Sequence, residues 1–115
     1  VLDLDHFKRT NDEAGHEAGD DVLIGFSQLV QARCRAGDRL FRYGGEEFVL
    51  LLPGTRADDL QRMLEDVRTQ VAQELRAGGR AVTVSIGAAV LDLEPRVHLE
   101  EEELLGLHLL LGGQA

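Results

Sequence analysis

Arg39-Leu40-Phe41-Arg42-Tyr43-Gly44-Gly45-Glu46-Glu47-Phe48-Val49-Leu50-Leu51-Leu52 is the stretch that decides the fold. Two runs of aromatic and aliphatic residues are broken by a glycine pair, the pattern of a β-hairpin. A two-residue turn of the primed type needs φ > 0 at its centre, which glycine adopts without steric cost, so the turn is expected at Gly44-Gly45. Glu46 and Glu47 are poor strand formers, yet they open one of the most apolar strands of the chain. Successive strand side chains point to opposite faces, so the two carboxylates diverge and only one readily faces a given site. Bare glycines beside a carboxylate let a bulky anionic ligand approach the backbone while a metal is held alongside. By itself, the same pattern describes a tight turn followed by a solvated acidic pair.

The start of the chain shifts that balance. Val1-Leu2-Asp3-Leu4-Asp5 alternates apolar and acidic residues and reads as a short strand. Asp3 and Glu46, as two acidic strand ends side by side in one sheet, would offer oxygen ligands to a hard cation. Lys8 and Arg9 follow and are placed to meet phosphate. Phe7 to Gly19 reads as a short helix or turn and then a loop. Asp20 is expected to cap a helix running to about Arg33, with Val22, Phe26, Leu29 and Val30 on one apolar face. A second helix is expected from about Ala57 to Leu75, burying Leu60, Met63, Leu64, Val67 and Val71, with Asp58-Asp59 near its positive end. Gly78-Gly79 makes a turn, and Ala81 to Leu91 reads as a long strand. The order strand, helix, hairpin, helix, strand implies an α+β sandwich with helices packed on one face of an antiparallel or mixed sheet.

With 115 residues the chain has room for one domain. Its 12 basic and 21 acidic residues give a net charge of −9, which argues against nucleic-acid polymers as partners, since those are bound by clustered Lys and Arg. A nucleotide still suits an acidic protein when a divalent metal mediates. The single cysteine, Cys34, forms no intramolecular disulfide and fits a reducing, cytoplasmic setting.

Four blocks carry a resemblance: Asp3-Leu4-Asp5-His6-Phe7-Lys8-Arg9-Thr10-Asn11-Asp12, Gly15-His16-Glu17-Ala18-Gly19-Asp20, Arg42-Tyr43-Gly44-Gly45-Glu46-Glu47-Phe48, and Thr83-Val84-Ser85-Ile86-Gly87-Ala88. In order and spacing, from Val1 to about Leu91, they resemble the GGDEF domain of diguanylate cyclases, and linked motifs are far more specific than any one of them. The resemblance implies a ferredoxin-like nucleotidyl-cyclase or palm fold, a central mixed antiparallel sheet with packed helices. It implies that two GTP molecules condense into cyclic di-GMP with release of pyrophosphate, each domain of a homodimer holding one GTP. It implies Mg2+, with Mn2+ as a substitute, bound by Asp3, Glu46 and the Leu4 carbonyl. Glu46 would double as general base and Glu47 would take an accessory catalytic role. Lys8 would meet phosphate, Asn11 and Asp20 would read guanine, and Arg42, Gly44 and Gly45 would line the nucleotide. Arg35 and Asp38 fall where the family carries an inhibitory site for its product, cyclic di-GMP.

The chain departs from the family pattern in three places. Where active members often add an arginine to the inhibitory site, this chain has Asp66, flanked by Arg62 and Arg68. The family's last helix brings a lysine and an arginine to the phosphates, but residues 97–115 contain neither, so 94–115 reads as a divergent segment of the single 1–115 domain. The helical segment that usually precedes the first strand is missing, as expected of a piece of a longer regulatory protein with sensory or receiver domains, its parent free to carry a membrane anchor outside this cytoplasmic domain. Two other readings accompany the cyclase: a catalytically weak or inactive module that binds GTP or cyclic di-GMP, and a structural dimerisation domain.

Overall fold

The computed structural model describes residues 1–91. Along the chain run β1 (Leu2–Leu4), α1 (Phe7–Ala14), α2 (His16–Gln31), β2 (Arg39–Arg42), β3 (Glu47–Leu51), α3 (Ala57–Glu74), β4 (Arg76–Ala77), β5 (Arg80–Ala81) and β6 (Val84–Ile86). Four strands form one sheet in the order β2-β3-β1-β6, antiparallel at every pairing. The α+β expectation holds, and β1 lies between β3 and β6 although it comes first in sequence.

Register explains which side chains form the core. Leu2 pairs with Phe48 on one side and Ile86 on the other, and Leu4 pairs with Val84. Directly opposed residues share a face, so this row is one apolar surface. Phe48 meets Phe26 of α2 with ring centroids 4.9 Å apart and the planes tilted at 53°, an arrangement that the ring quadrupoles favour. Phe7 of α1, Val22, Leu29 and Val30 of α2, and Val67 and Val71 of α3 complete one cluster. The helical faces read from the sequence are thus the buried ones, although Leu60, Met63 and Leu64 of α3 are only half-buried. Leu60 and Leu64 line a groove of about 950 Å³ between α3 and β6.

Three expectations need correction. The Gly44-Gly45 turn is not a two-residue primed turn. Arg42 pairs with Phe48 and the Tyr43 N–H donates to the Glu47 carbonyl at 2.8 Å, which leaves three residues, Gly44, Gly45 and Glu46, in the loop. Neither glycine there has positive φ. The two-residue turn with both residues at positive φ is Gly78-Gly79, at 56° and 82°, closing the separate β4–β5 hairpin.

Asp20, in turn, caps nothing. Gly15 at φ 93° makes the break after α1, and α2 begins at His16, so Asp20 lies inside the helix. One glycine suffices to turn the chain, and the Gly19 N–H already donates to the Gly15 carbonyl at 3.1 Å. The long strand expected from Ala81 to Leu91 shrinks to β6, because Arg80 and Ala81 are drawn into the hairpin with β4. The divergent segment 94–115 lies outside the described residues.

Phe26 is fully buried whereas Ile24, two residues earlier, is 57% exposed. Phe26→Ala is therefore expected to lower unfolding free energy by about 3–5 kcal/mol, while Ile24→Ala should stay within about 0.5 kcal/mol. Urea denaturation of the two variants checks the contrast.

Candidate active site

The carboxylates gather where β1 meets the hairpin. Asp3 is the cross-strand partner of Glu47, and on its other side it faces Ser85. These three side chains share the face opposite the Leu2–Phe48 row. Asp3 is only 6% exposed, deep for a carboxylate. Glu46 does not open the strand as expected but sits in the turn, and its carbonyl accepts from the Leu4 N–H at 3.1 Å. It still feels its neighbours: burial pushes the Glu46 carboxyl up from its ordinary range, and the charges of Asp3 and Glu47 push it further. Asp3, Leu4, Glu46 and Glu47 therefore converge, with Glu47 rather than Glu46 aligned directly with Asp3.

This donor set is all oxygen, which suits a hard cation such as magnesium. Among the described residues no three His, Cys, Asp or Glu side chains already form a ready-made chelate. Burial of the Glu46 carboxyl beside the charges of Asp3 and Glu47 is the feature that a divalent cation would relieve, so the residues fit the group. Asp3, Glu46 and the Leu4 carbonyl would hold it, with Glu47 beside them.

The turn above these acids is built by backbone bonds. Tyr43 and Gly44 both donate N–H to the Glu47 carbonyl, at 2.8 and 3.3 Å. Arg42 was expected to reach toward nucleotide or a carboxylate. Instead its Nε donates to the Gly44 carbonyl at 3.1 Å and its second guanidinium nitrogen to the Gly45 carbonyl at 2.9 Å. A planar fork spanning two carbonyls stiffens a loop that glycine alone would leave loose.

Beyond β1, the chain reverses through His6, the one non-glycine residue at positive φ among those described (55°), and enters α1. Lys8 is exposed on its first turn. Arg9 is engaged elsewhere: Glu13 accepts from Arg9 at 3.1 Å and from Arg80 at 2.9 Å. Asn11, further along α1, packs against Gly19 of α2, and Asp20 follows Gly19 at the exposed surface of that helix. The Arg35–Asp38 pair is also assembled. The Arg35 backbone N–H donates to Asp38 at 2.7 Å, and its guanidinium reaches the Pro53 carbonyl at 3.0 Å and Thr55 Oγ1 at 2.6 Å. Arg62 and Arg68 are instead tied to Asp59 and Glu65, each at 2.6 Å. Cys34 packs with its Sγ toward the Val30 carbonyl, and burial followed by the Asp38 charge raises its thiol pKa, the opposite of an activated nucleophile.

The sequence reading missed Asp5. Its carboxylate accepts from Thr83 Oγ1 at 2.7 Å and Ser85 Oγ at 2.6 Å, and its N–H donates to the Thr83 carbonyl at 2.9 Å. This clasp fixes the end of β1 against β6 just past Asp3. The signal was present: Asp3 and Asp5, like Thr83 and Ser85, are spaced by two and so share a strand face.

Comparison with known proteins now bears on this geometry. The family model for "Diguanylate cyclase, GGDEF domain" matches residues 1–103. The chain belongs to the GGDEF family. It is 45% identical over 89 residues to diguanylate cyclase DgcM of Escherichia coli, covering 77% of this chain and 22% of that protein. It is 42% identical over 94 residues to response regulator PleD of Caulobacter vibrioides, covering 77% and 21%. The GGDEF chain thus spans about a fifth of these relatives' length. Among solved structures, diguanylate cyclase SiaD of Pseudomonas aeruginosa, in complex with its activator SiaC, aligns with TM-score 0.64 at 44% identity, over 73% of this chain and 34% of that one. The active GGEEF domain of a diguanylate cyclase from Vibrio cholerae aligns with TM-score 0.66 at 30% identity, over 72% and 54%. Among the described residues no helix is long and apolar enough to cross a membrane.

The acidic crowding has a pH signature. A raised folded-state pKa at Glu46 means that stability present at low pH is lost as pH rises through that pKa. Without added metal, Glu46→Gln should therefore melt higher than the parent at neutral pH, and the gap should close below the ordinary glutamate range. Thermal denaturation across pH in chelator decides it, and a gap independent of pH would contradict the electrostatic account.

Proposed function

We propose that this chain is the catalytic domain of a diguanylate cyclase, joining two GTP molecules into cyclic di-GMP with release of pyrophosphate. The observation that carries the reading is the convergence of Asp3, Glu46 and Glu47 beneath a glycine turn, at a point where their charges repel. A bound divalent cation would polarise the α-phosphate and lower the pKa of the attacking 3′-hydroxyl. The rest falls to side chains of this chain. Asp3 and Glu46 fix the position of the reacting phosphate, and Glu46 is placed to receive the hydroxyl proton. Gly44 and Gly45 bring the backbone close to phosphate, and Arg42 keeps their carbonyls turned away on its own fork. Lys8 supplies positive charge to the phosphates, and Asn11 with Asp20 meets the guanine edge. Each domain holds one GTP, so a homodimer is the reactive unit.

A second reading has its own support. Arg35 and Asp38 are already joined and anchored to the 53–55 turn, a preformed place for a guanine nucleotide of the product type. The arginines flanking Asp66 are occupied by neighbouring acids, which leaves that place short of one cation. A GGDEF domain that binds cyclic di-GMP with little turnover would use the same residues.

Incubation with GTP and Mg2+ followed by nucleotide chromatography separates the two. Cyclic di-GMP is expected to form, with turnover per chain rising steeply as protein concentration increases because two loaded domains must meet. Asp3→Asn should abolish product while leaving the melting curve cooperative. Cyclic di-GMP binding without any product at high protein concentration would favour the regulatory module, and equal turnover by Asp3→Asn would remove the metal assignment.

A further inference from the structure

We propose that Arg80, on the β4–β5 hairpin, is a positioning residue for the nucleotide site, acting through Glu13 to hold helix α1 in place. The ligand half rests on the cyclase reading, in which α1 carries Lys8 and Asn11; the packing half does not. Helix α1 has little of its own to fix it. It is eight residues long, its N-cap His6 makes no side-chain hydrogen bond, and its first turn holds no acid. Helices shorter than about 12–15 residues are marginal without tertiary contacts. Phe7, its first residue, is the one buried outright.

Toward α2 the helix is packed, with Asn11 against Gly19. Toward the β4–β5 hairpin it faces a cleft of about 360 Å³, lined by His6, Arg9, Thr10 and Glu13 on one side and by Arg80 and Thr83 on the other. Arg80 spans this cleft. Its Nη1 donates to Glu13 Oε2 at 2.9 Å, between residues 67 positions apart, while Arg9 Nε donates to Glu13 Oε1 at 3.1 Å. Each carboxylate oxygen thus has its own arginine. Glu13 stands in the last turn of α1, where the helix dipole disfavours an acid. The helix by itself gives no reason for a glutamate there, and the partner across the cleft does. The chain just before α1 is tied separately, by Thr83 and Ser85 closing on Asp5. Residues 80–85 therefore grip α1 near both ends.

The Glu13 and Arg80 side chains are 48% and 69% exposed, and such a pair adds little to global stability. Its effect is local. Without it, the far end of a helix anchored at Phe7 is released, and Asn11 lies nearer that end than Lys8 does. The sign of the charges separates this strut from simple electrostatics. Loss of Arg80 would weaken GTP binding on either account. Loss of Glu13 removes a negative charge and releases Arg9, so charge alone predicts tighter GTP binding, whereas loss of the strut predicts weaker binding.

The test measures GTP affinity with Mg2+ in about 0.15 M salt, where exposed charges are screened, for Arg80→Ala, Glu13→Ala, the pair and Arg80→Lys. The first three should each lose roughly two- to fivefold in affinity, the pair no more than either single variant, because both act through one contact. Arg80→Lys should bind like the parent, since one guanidinium nitrogen makes the bond to Glu13. Melting midpoints should stay within about 4 °C of the parent, so that the loss is not one of folding. Tighter binding by Glu13→Ala, or equal losses in Arg80→Lys and Arg80→Ala, would overturn the proposal. Amide exchange on the ligand-free chain tests the strut without nucleotide. Residues 11–14 should exchange roughly two- to fivefold faster in Glu13→Ala and Arg80→Ala, while α3 keeps its parent rates. Alanine is itself a strong helix former, so faster exchange in Glu13→Ala reports the lost contact. Unchanged exchange in α1, with GTP binding by the parent intact, would defeat the strut and leave the cyclase reading standing. A parent chain that binds no GTP would defeat the cyclase reading and the positioning role with it.

Discussion

Asp3 and Glu47 stand directly opposite each other on antiparallel strands. Like charges so placed oppose pairing, and burial of Asp3 sharpens the conflict because the interior screens charge poorly. The sheet forms regardless because the other face of the same two strands buries Leu2, Leu4 and Phe48 against Phe26. Apolar packing on one side thus holds acidic repulsion on the other. A stable fold that maintains such a conflict is poised to gain from a cation, which would turn the same geometry from a cost into a source of affinity. The clasp of Asp5 by Thr83 and Ser85 belongs to this design: it ties down the β1 terminus two residues after Asp3.

Much of this was legible in the chain itself. The helix faces followed from 3.6-residue periodicity, because Val22, Phe26, Leu29 and Val30 are pinned by burial that any packing of α2 must satisfy. The motif blocks located the acids and the glycine turn, and spacing from Gly44 singled out Arg35 and Asp38, which the structure joins. Local backbone detail was less legible. A Gly-Gly pair marks a turn but does not say how many residues it holds. The register of β2 on β3 made that choice, adding Glu46 to the loop and giving Asp3 to Glu47. Asp20 resembled a helix cap because Asp is a frequent N-cap residue. The cap of α2 was instead set five residues earlier by the single positive-φ glycine at position 15.

Hydrogen bonding was the other blind spot. Sequence can nominate Arg42 and Arg9 as phosphate cations, but not say whether they are free. Arg42 spans the carbonyls of its own loop and Arg9 shares Glu13 with Arg80. Asp5 shows the converse. The spacing of Asp5 from Asp3, and of Thr83 from Ser85, hinted at a shared face, but only the pairing of β1 with β6 brings hydroxyls 78 and 80 residues away onto that carboxylate.

These engagements decide how the site handles charge. The proposed triphosphate substrate would bring several negative charges to a protein whose net charge is already −9. Lys8 is the only lysine in the chain, it is exposed, and it forms no ion pair among the described residues. The arginines nearest to it in sequence or in the turn are committed to structural bonds. One charge-assisted contact is worth about 1.5–3 kcal/mol, too little to offset that repulsion alone. On the proposed cyclase reading a divalent cation would carry most of the neutralisation, and nucleotide affinity would be coupled to metal more tightly than in a site ringed with free arginines. On that reading, acidic crowding around Asp3 and the scarcity of free cations near the proposed phosphate site are two sides of one arrangement, and each would favour the same ion.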